Sequence, residues 1–118
     1  MTIAGWEYNM TLVLNIFDDY NARIGEFSDS VGKVELCVGG HYHMDHYALT
    51  EGGIPVIILE ADKIHDRSGT TPQKETTDES AASAVIFNYS TNLINIIRIG
   101  RGQSFTINAT TGEKTIIN

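Results

Sequence analysis

His41 and His43 are the residues of this chain whose type and spacing most directly suggest chemistry. They close the run Val34-Glu35-Leu36-Cys37-Val38-Gly39-Gly40-His41-Tyr42-His43. The run reads as a short buried strand over 34–38 leading into a glycine turn. Side chains two apart in extended backbone point to the same side, so both imidazoles can face one centre. Imidazole nitrogen binds borderline metals at about 2.0–2.1 Å. Two ligands do not close such a site, since three or four are usual. The chain therefore shows half of a metal site, and the rest must come from elsewhere.

The elements that must position this pair belong to a chain of 118 residues, the length of one domain. A 42% hydrophobic content allows a core, though a small one. The net charge of −7 argues against a nucleic-acid-binding surface, which is normally basic. It also repels a phosphorylated substrate unless a metal or a local arginine reverses the field. The surplus carboxylates read as solvated surface. The single cysteine, Cys37, excludes a disulfide within the chain and suits a reducing cytoplasm. It sits in an apolar strand with no cation nearby in sequence, and reads as a buried, inert thiol. No apolar run approaches the ~20 residues of a membrane span, and the first residues lack the pattern of a signal peptide. The glycosylation sequons at Asn9, Asn88 and Asn108 are expected to be chance matches.

Residues 6–24 predict a helix. Trp6, Met10, Val13, Leu14, Phe17 and Ile24 form an apolar stripe. Leu12 and Ile16 widen it, so the helix should be well covered, and Gly25 should stop it. Residues 26–33 form a polar connection. After a turn at Glu51-Gly52-Gly53, the run Ile54-Pro55-Val56-Ile57-Ile58-Leu59 predicts a strand covered on both faces, with Pro55 at its start. Residues 62–82 turn polar and predict a long loop, a length usually tied to function or mobility. Residues 84–89 and 93–99 predict a hairpin joined at 90–92. The last sixteen residues predict one or two edge strands around a turn at 111–113. The expectation is a single α+β domain over 1–118, with one amphipathic N-terminal helix on a mixed or antiparallel sheet. One helix leaves a face of the sheet poorly covered, which predicts either self-association or membership of something larger.

The residues also carry a resemblance. Gly40-His41-Tyr42-His43, after an apolar strand and followed by Asp45, resembles the last conserved motif of the calcineurin-like metallophosphoesterases. Gly52-Gly53-Ile54-Pro55-Val56-Ile57 is similar to that family's next strand. Residues 76–86 resemble its acidic residue and following strand. Ile97-Arg98-Ile99-Gly100-Arg101-Gly102 resembles the ending seen in phage and bacterial members. The resemblance spans roughly residues 7–107 and covers only the C-terminal part of the family's domain, the C-terminal half of its αββα sandwich. It implies metal-dependent hydrolysis of a phosphate ester, with His41 on one divalent ion and His43 on the other (Mn, Fe or Zn). The family's aspartate-x-histidine, glycine-aspartate and glycine-asparagine-histidine motifs do not occur here. The bridging carboxylate and general-acid histidine are thus absent, and no residue of this chain is assigned as general acid or base. The chain alone is expected not to turn over, and it can lack metal until the site is completed.

His41-x-His43-x-Asp45-His46 also fits the signature of metallo-β-lactamase-like hydrolases. There Asp45 and His46 would join one zinc, and His41 and His43 the other. That family needs strands before the motif, where a helix is expected here, and a further histidine downstream, where only His65 is found. In the phosphoesterase reading His46 is expected at the surface and His65 in a solvated loop. Arg98, between Ile97 and Ile99, is expected to point outward. Arg101, between two glycines, is a somewhat better candidate for anion contact. Tyr42 is expected to pack on its own strand. Three functions follow: a half-enzyme completed by its missing N-terminal half, a non-catalytic association domain forming a homo-oligomer, or a self-sufficient two-zinc hydrolase.

Overall fold

The computed structural model describes residues 8–40, 45–59 and 74–117. Helix α1 spans Tyr8–Ala22 and is followed by a 3-10 turn at Gly25–Phe27. Three short strands, β1 (Cys37–Gly39), β2 (His46–Leu49) and β3 (Pro55–Ile58), make a mixed sheet in the order β1-β3-β2. Strand β1 runs parallel to β3 and β2 antiparallel to it. A short 3-10 turn at Thr77–Glu79 precedes the second sheet. This is an antiparallel meander of β4 (Ala81–Asn88), β5 (Leu93–Gly100), β6 (Ser104–Asn108) and β7 (Lys114–Ile117). One helix with a mixed and an antiparallel sheet is an α+β architecture, as expected.

The core lies between the sheets. Ile57 of the mixed sheet packs with Ile94, Ile96, Phe105 and Ile107 of the meander. The registers Ile96 to Phe105 and Ile94 to Ile107 put these four on one face. Tyr47, opposite Ile57, joins the same cluster. All of β3 is buried, so the expected double covering of this strand holds. Val56 and Ile58 alternate with Ile57, face the other side and are also buried. The Thr50 hydroxyl donates to Asp18 Oδ1 at 2.5 Å, and Thr50 Oγ1 accepts from Ile54 N at 3.0 Å. Asn21 exchanges two bonds with Val34, at 2.9 and 2.8 Å.

These polar ties set the rotation of the helix, and they correct the apolar stripe. Thr11, Leu14, Asp18 and Asn21, spaced three, four and three apart, form the inward row. Leu14 is buried, whereas Leu12 and Ile16 are about half exposed, at 53% and 50%. The helix is therefore not well covered. Ile24 lies beyond its end and is exposed. Arg23 takes the left-handed conformation that ends the helix, at φ 60°, two residues before the expected stop at Gly25.

Other boundaries shift too. Strand β1 occupies only Cys37–Gly39, because Val34 is held by Asn21 instead of by a strand. Strand β2 was not expected; its four residues HYAL carry no clear alternation and form the first arm of a hairpin into β3. Strand β4 begins at Ala81, inside the expected polar loop, of which 62–73 lies outside the described residues. In the C-terminal stretch β6 is an interior strand, bonded to both β5 and β7.

Two of the sequons have a structural reason. Asn88 Oδ1 accepts from the backbone of Ser90 and Thr91, and Asn108 Oδ1 from that of Thr110 and Thr111. Both asparagines start tight turns by bonding the backbone two and three residues on.

Candidate functional site

His41 and His43, with Tyr42 between them, lie outside the described residues, as does His65. The residues that flank the pair are described. Gly40 follows the carboxyl end of β1, and Asp45 precedes β2. Parallel neighbour β3 ends at the same side, where Leu59 N donates to the Gly39 carbonyl at 3.0 Å. The chain thus enters the histidine segment from the carboxyl end of β1 and leaves it at Asp45, just before β2.

At this end the two sheets are tied by a polar cluster. Arg98 comes from β5, and its Nη2 donates to both oxygens of Asp45, at 2.6 and 2.7 Å. Its Nε donates to Ser83 Oγ at 3.0 Å and its Nη1 to the Arg101 carbonyl at 3.0 Å. The Arg98 side chain is 1% exposed. This corrects the outward placement expected from its apolar neighbours. Along β5 the buried residues are Ile94, Ile96 and Arg98, while Ile97 and Ile99 face outward. Arg98 thus occupies a core position, and the ring of acceptors around it is what makes a buried charge tolerable there.

The glycines after Arg98 have a local cause. Gly100 takes φ 92° and Gly102 φ 97°, conformations glycine adopts without strain. A Cβ on Gly100 would come within 2.0 Å of the Ser80 carbonyl oxygen. The same turn lets Arg101 N donate to that oxygen at 2.7 Å and aims the Arg101 carbonyl back at Arg98. Arg101 itself is buried.

The remaining candidates separate. His46 opens β2 opposite Ile58 and is half-buried, not a surface residue. Asp45, just before it, is bound by Arg98. Among the described residues no group of three or more His, Cys, Asp or Glu stands together as a metal site. Cys37 is half-buried, and burial, with the Asp18 carboxylate second, pushes its thiol above the ordinary value of 9.0. That keeps it protonated and unreactive near neutrality. Burial also raises the Tyr47 phenol, which donates to the Gly112 carbonyl and ties β2 to the β6–β7 turn.

A polar groove of about 280 Å³ opens at the amino end of β3, lined in part by Lys33, Glu35, Pro55 and Thr110. Its described lining gathers no catalytic set. Among the described residues no helix is long and apolar enough to cross a membrane.

What sequence reasoning missed is the partnership of Asp45 with Arg98. The signal was an arginine at an inward position of an alternating strand, and an aspartate just past the histidines. No family model, no curated protein and no solved structure matches this chain.

Proposed function

We propose that this chain is the C-terminal portion of a calcineurin-like metallophosphoesterase domain. In this reading His41 and His43 each hold one of two divalent ions (Mn, Fe or Zn). The remaining ligands come from motifs that these 118 residues do not carry. The metals activate a water and clamp the phosphoryl oxygens, and they offset the chain's acidic charge for a phosphate-ester substrate. This chain then contributes ligands and scaffold, and is inactive by itself. The reading takes a cytoplasmic setting from the lone thiol.

The observation that carries the reading is the run Gly40-His41-Tyr42-His43 directly after the carboxyl end of β1, a strand parallel to β3. It is supported by the short mixed sheet, in which, among the described residues, β1 is an edge strand with a parallel neighbour. Parallel strands belong mostly to larger sheets buried on both faces, so a three-stranded sheet ending on β1 suits a domain with more strands to add.

The test is elemental analysis of the purified chain beside a His41→Ala/His43→Ala double variant. The proposal expects up to one equivalent of Mn, Fe or Zn, lost in the variant. Two zinc ions per chain would favour the lactamase-like hydrolase. No metal in either protein would overturn the ligand role of these histidines in this chain.

A second reading, association without catalysis, is favoured by one surface. The outer face of the meander carries Ala82, Ala84, Ile86, Ile97, Ile99 and Ile117 among uncharged polar residues. The registers put no charged side chain on it, although 19% of the chain is charged. Two copies could therefore pair there without opposing their net charges. Light scattering that finds a clean monomer at high concentration would exclude a homo-oligomer.

A further inference from the structure

We propose that β4 is an interaction edge whose occupant is the β4 strand of a second copy of this chain, paired antiparallel across a two-fold axis at Ala84. The proposal stands apart from the histidine reading, and it places association at the rim of the meander instead of on its outer face.

The meander ends on β4 at one side and on β7 at the other. The two edges are built differently. Strand β7 has four residues. Its Lys114, opposite the buried Ile107, holds the ammonium 4.4 Å from the centroid of the Phe105 ring. A short edge strand with an inward charge is a common guard against stray pairing. Strand β4 has eight residues, with no charged side chain and no proline. Its register with β5 is continuous over Ala81–Asn88, so no bulge turns it away. In an antiparallel ladder alternate residues aim N–H and C=O away from the neighbour. Among the described residues no strand meets those groups on the far side of β4. The edges of the mixed sheet, β1 and β2, have only three and four residues. Among the described residues β4 is thus the one long, uncharged edge, the kind that accepts another strand.

The order of side-chain sizes along β4 points to a second copy. Small Ala82 and Ser83 precede Ala84, and bulky Val85 and Ile86 follow it. Residues directly opposite in a sheet share a face, so a two-fold axis between antiparallel strands must pass through a residue. With the axis at Ala84, Ala82 lies opposite Ile86 of the second copy, and Ser83 opposite Val85 of the second copy. Each small side chain then meets a large one, on both faces of the sheet. Ala82, Ala84 and Ile86 are exposed, and such a contact covers them. The charges permit it as well. Each chain carries −7, yet nothing charged meets within the pair of strands. Glu79 stands before one end of β4, so antiparallel pairing sends the two copies of it to opposite ends. A two-fold contact is closed. It joins two four-stranded meanders into one sheet, with the guarded β7 strands at its rims.

Sedimentation velocity on the full chain reads the association. The expected result is a dimer in the parent, weakened by about tenfold or more in Ile86→Lys, which sets a charge on the edge. The dimer should persist in Ile97→Lys, which sets the same charge on the outer face one strand further in. Register is read by oxidation in a Cys37→Ala background, where the introduced thiol is the only one. Ala84→Cys meets its own copy at the axis, at roughly 4.5–5.5 Å between Cα atoms, a gap that a disulfide spans. Ala82→Cys sets the two thiols four residues apart along the strands, roughly 13 Å, beyond reach. Ala84→Cys should therefore crosslink and Ala82→Cys should not, and this comparison carries the test should Ile86→Lys fail to fold. A monomeric parent would overturn the proposal and leave the edge to a strand of another chain. A dimer lost in Ile97→Lys but kept in Ile86→Lys would overturn it in favour of stacking through the outer face. Equal crosslinking at positions 82 and 84 would overturn it by removing the register.

Discussion

Strands β3 and β5 are both nearly continuous apolar runs, yet the fold buries them differently. Pro55–Ile58 is buried on both faces, with Ile57 packed against the meander. In β5 the inward residues Ile94 and Ile96 are fully buried, while Ile97 and Ile99 are 39% and 63% exposed. The composition of the two strands does not separate them. The surroundings do: α1 is tied to the segments flanking the mixed sheet, by Asp18 to Thr50 and Asn21 to Val34, and among the described residues nothing covers the outside of the other. An apolar run thus reports that a strand can be covered twice, and only the neighbouring layers decide whether it is. The same holds for α1, whose Leu12 and Ile16 look outward because polar contacts fix its inward row.

The largest effect should come from the shared interior. Ile96→Ala, at a fully buried position, is expected to cost about 2–5 kcal/mol, against less than about 0.5 kcal/mol for Ile97→Lys on the outer face. Urea unfolding of both variants checks this, and similar losses would mean that the outer face is covered. Next in size, Asp45→Ala leaves the buried Arg98 without its carboxylate. Loss of one partner of a buried pair costs about 3–5 kcal/mol. With Asp45 25% exposed, about 2–3 kcal/mol is expected, read in the same titration. Gly100→Ala adds strain at φ 92° and a clash with Ser80. It should cost about 1–3 kcal/mol, with thermal melting as the readout.

Smaller still is a pH effect. The Cys37 and Tyr47 groups have ordinary values of 9.0 and 10.0, and burial raises both in the folded chain. The folded state then keeps protons that the unfolded chain has released. Their contribution is fully present below pH 9 and is lost as pH rises through the raised values. Stability should decline above pH 9, and Cys37→Ala should remove the earlier part of that decline. A flat urea midpoint from pH 8 to 10 would contradict it. Smallest on stability, Ile99→Glu should leave the unfolding midpoint nearly unchanged. Sedimentation velocity would show whether it abolishes any self-association.

Much of this was legible from local pattern. The hairpin at 84–99, the strand after Pro55 and the turn at 111–113 follow from alternation and turn residues. The missing parts depended on contacts distant in sequence. Strand β2 has no period of its own, and it is a strand because β3 lies beside it. The inward direction of Arg98 is set by its acceptors, Asp45 being 53 residues away. The helix stripe failed because Asp18 and Asn21 found partners 32 and 13 residues on. Of the candidate site, the histidine pair was visible as residue types, whereas the tie that anchors Asp45 beside it needed both sheets.

The most direct test of the central claim is a Mn²⁺ titration followed by NMR on the full chain. Paramagnetic broadening reports which residues lie nearest the ion, a distinction that matters in a chain of net charge −7. The account predicts that His41 and His43 lose their signals first, at the lowest Mn²⁺ addition, before any surface carboxylate responds. Broadening that begins at acidic surface residues and leaves both histidines sharp would contradict it.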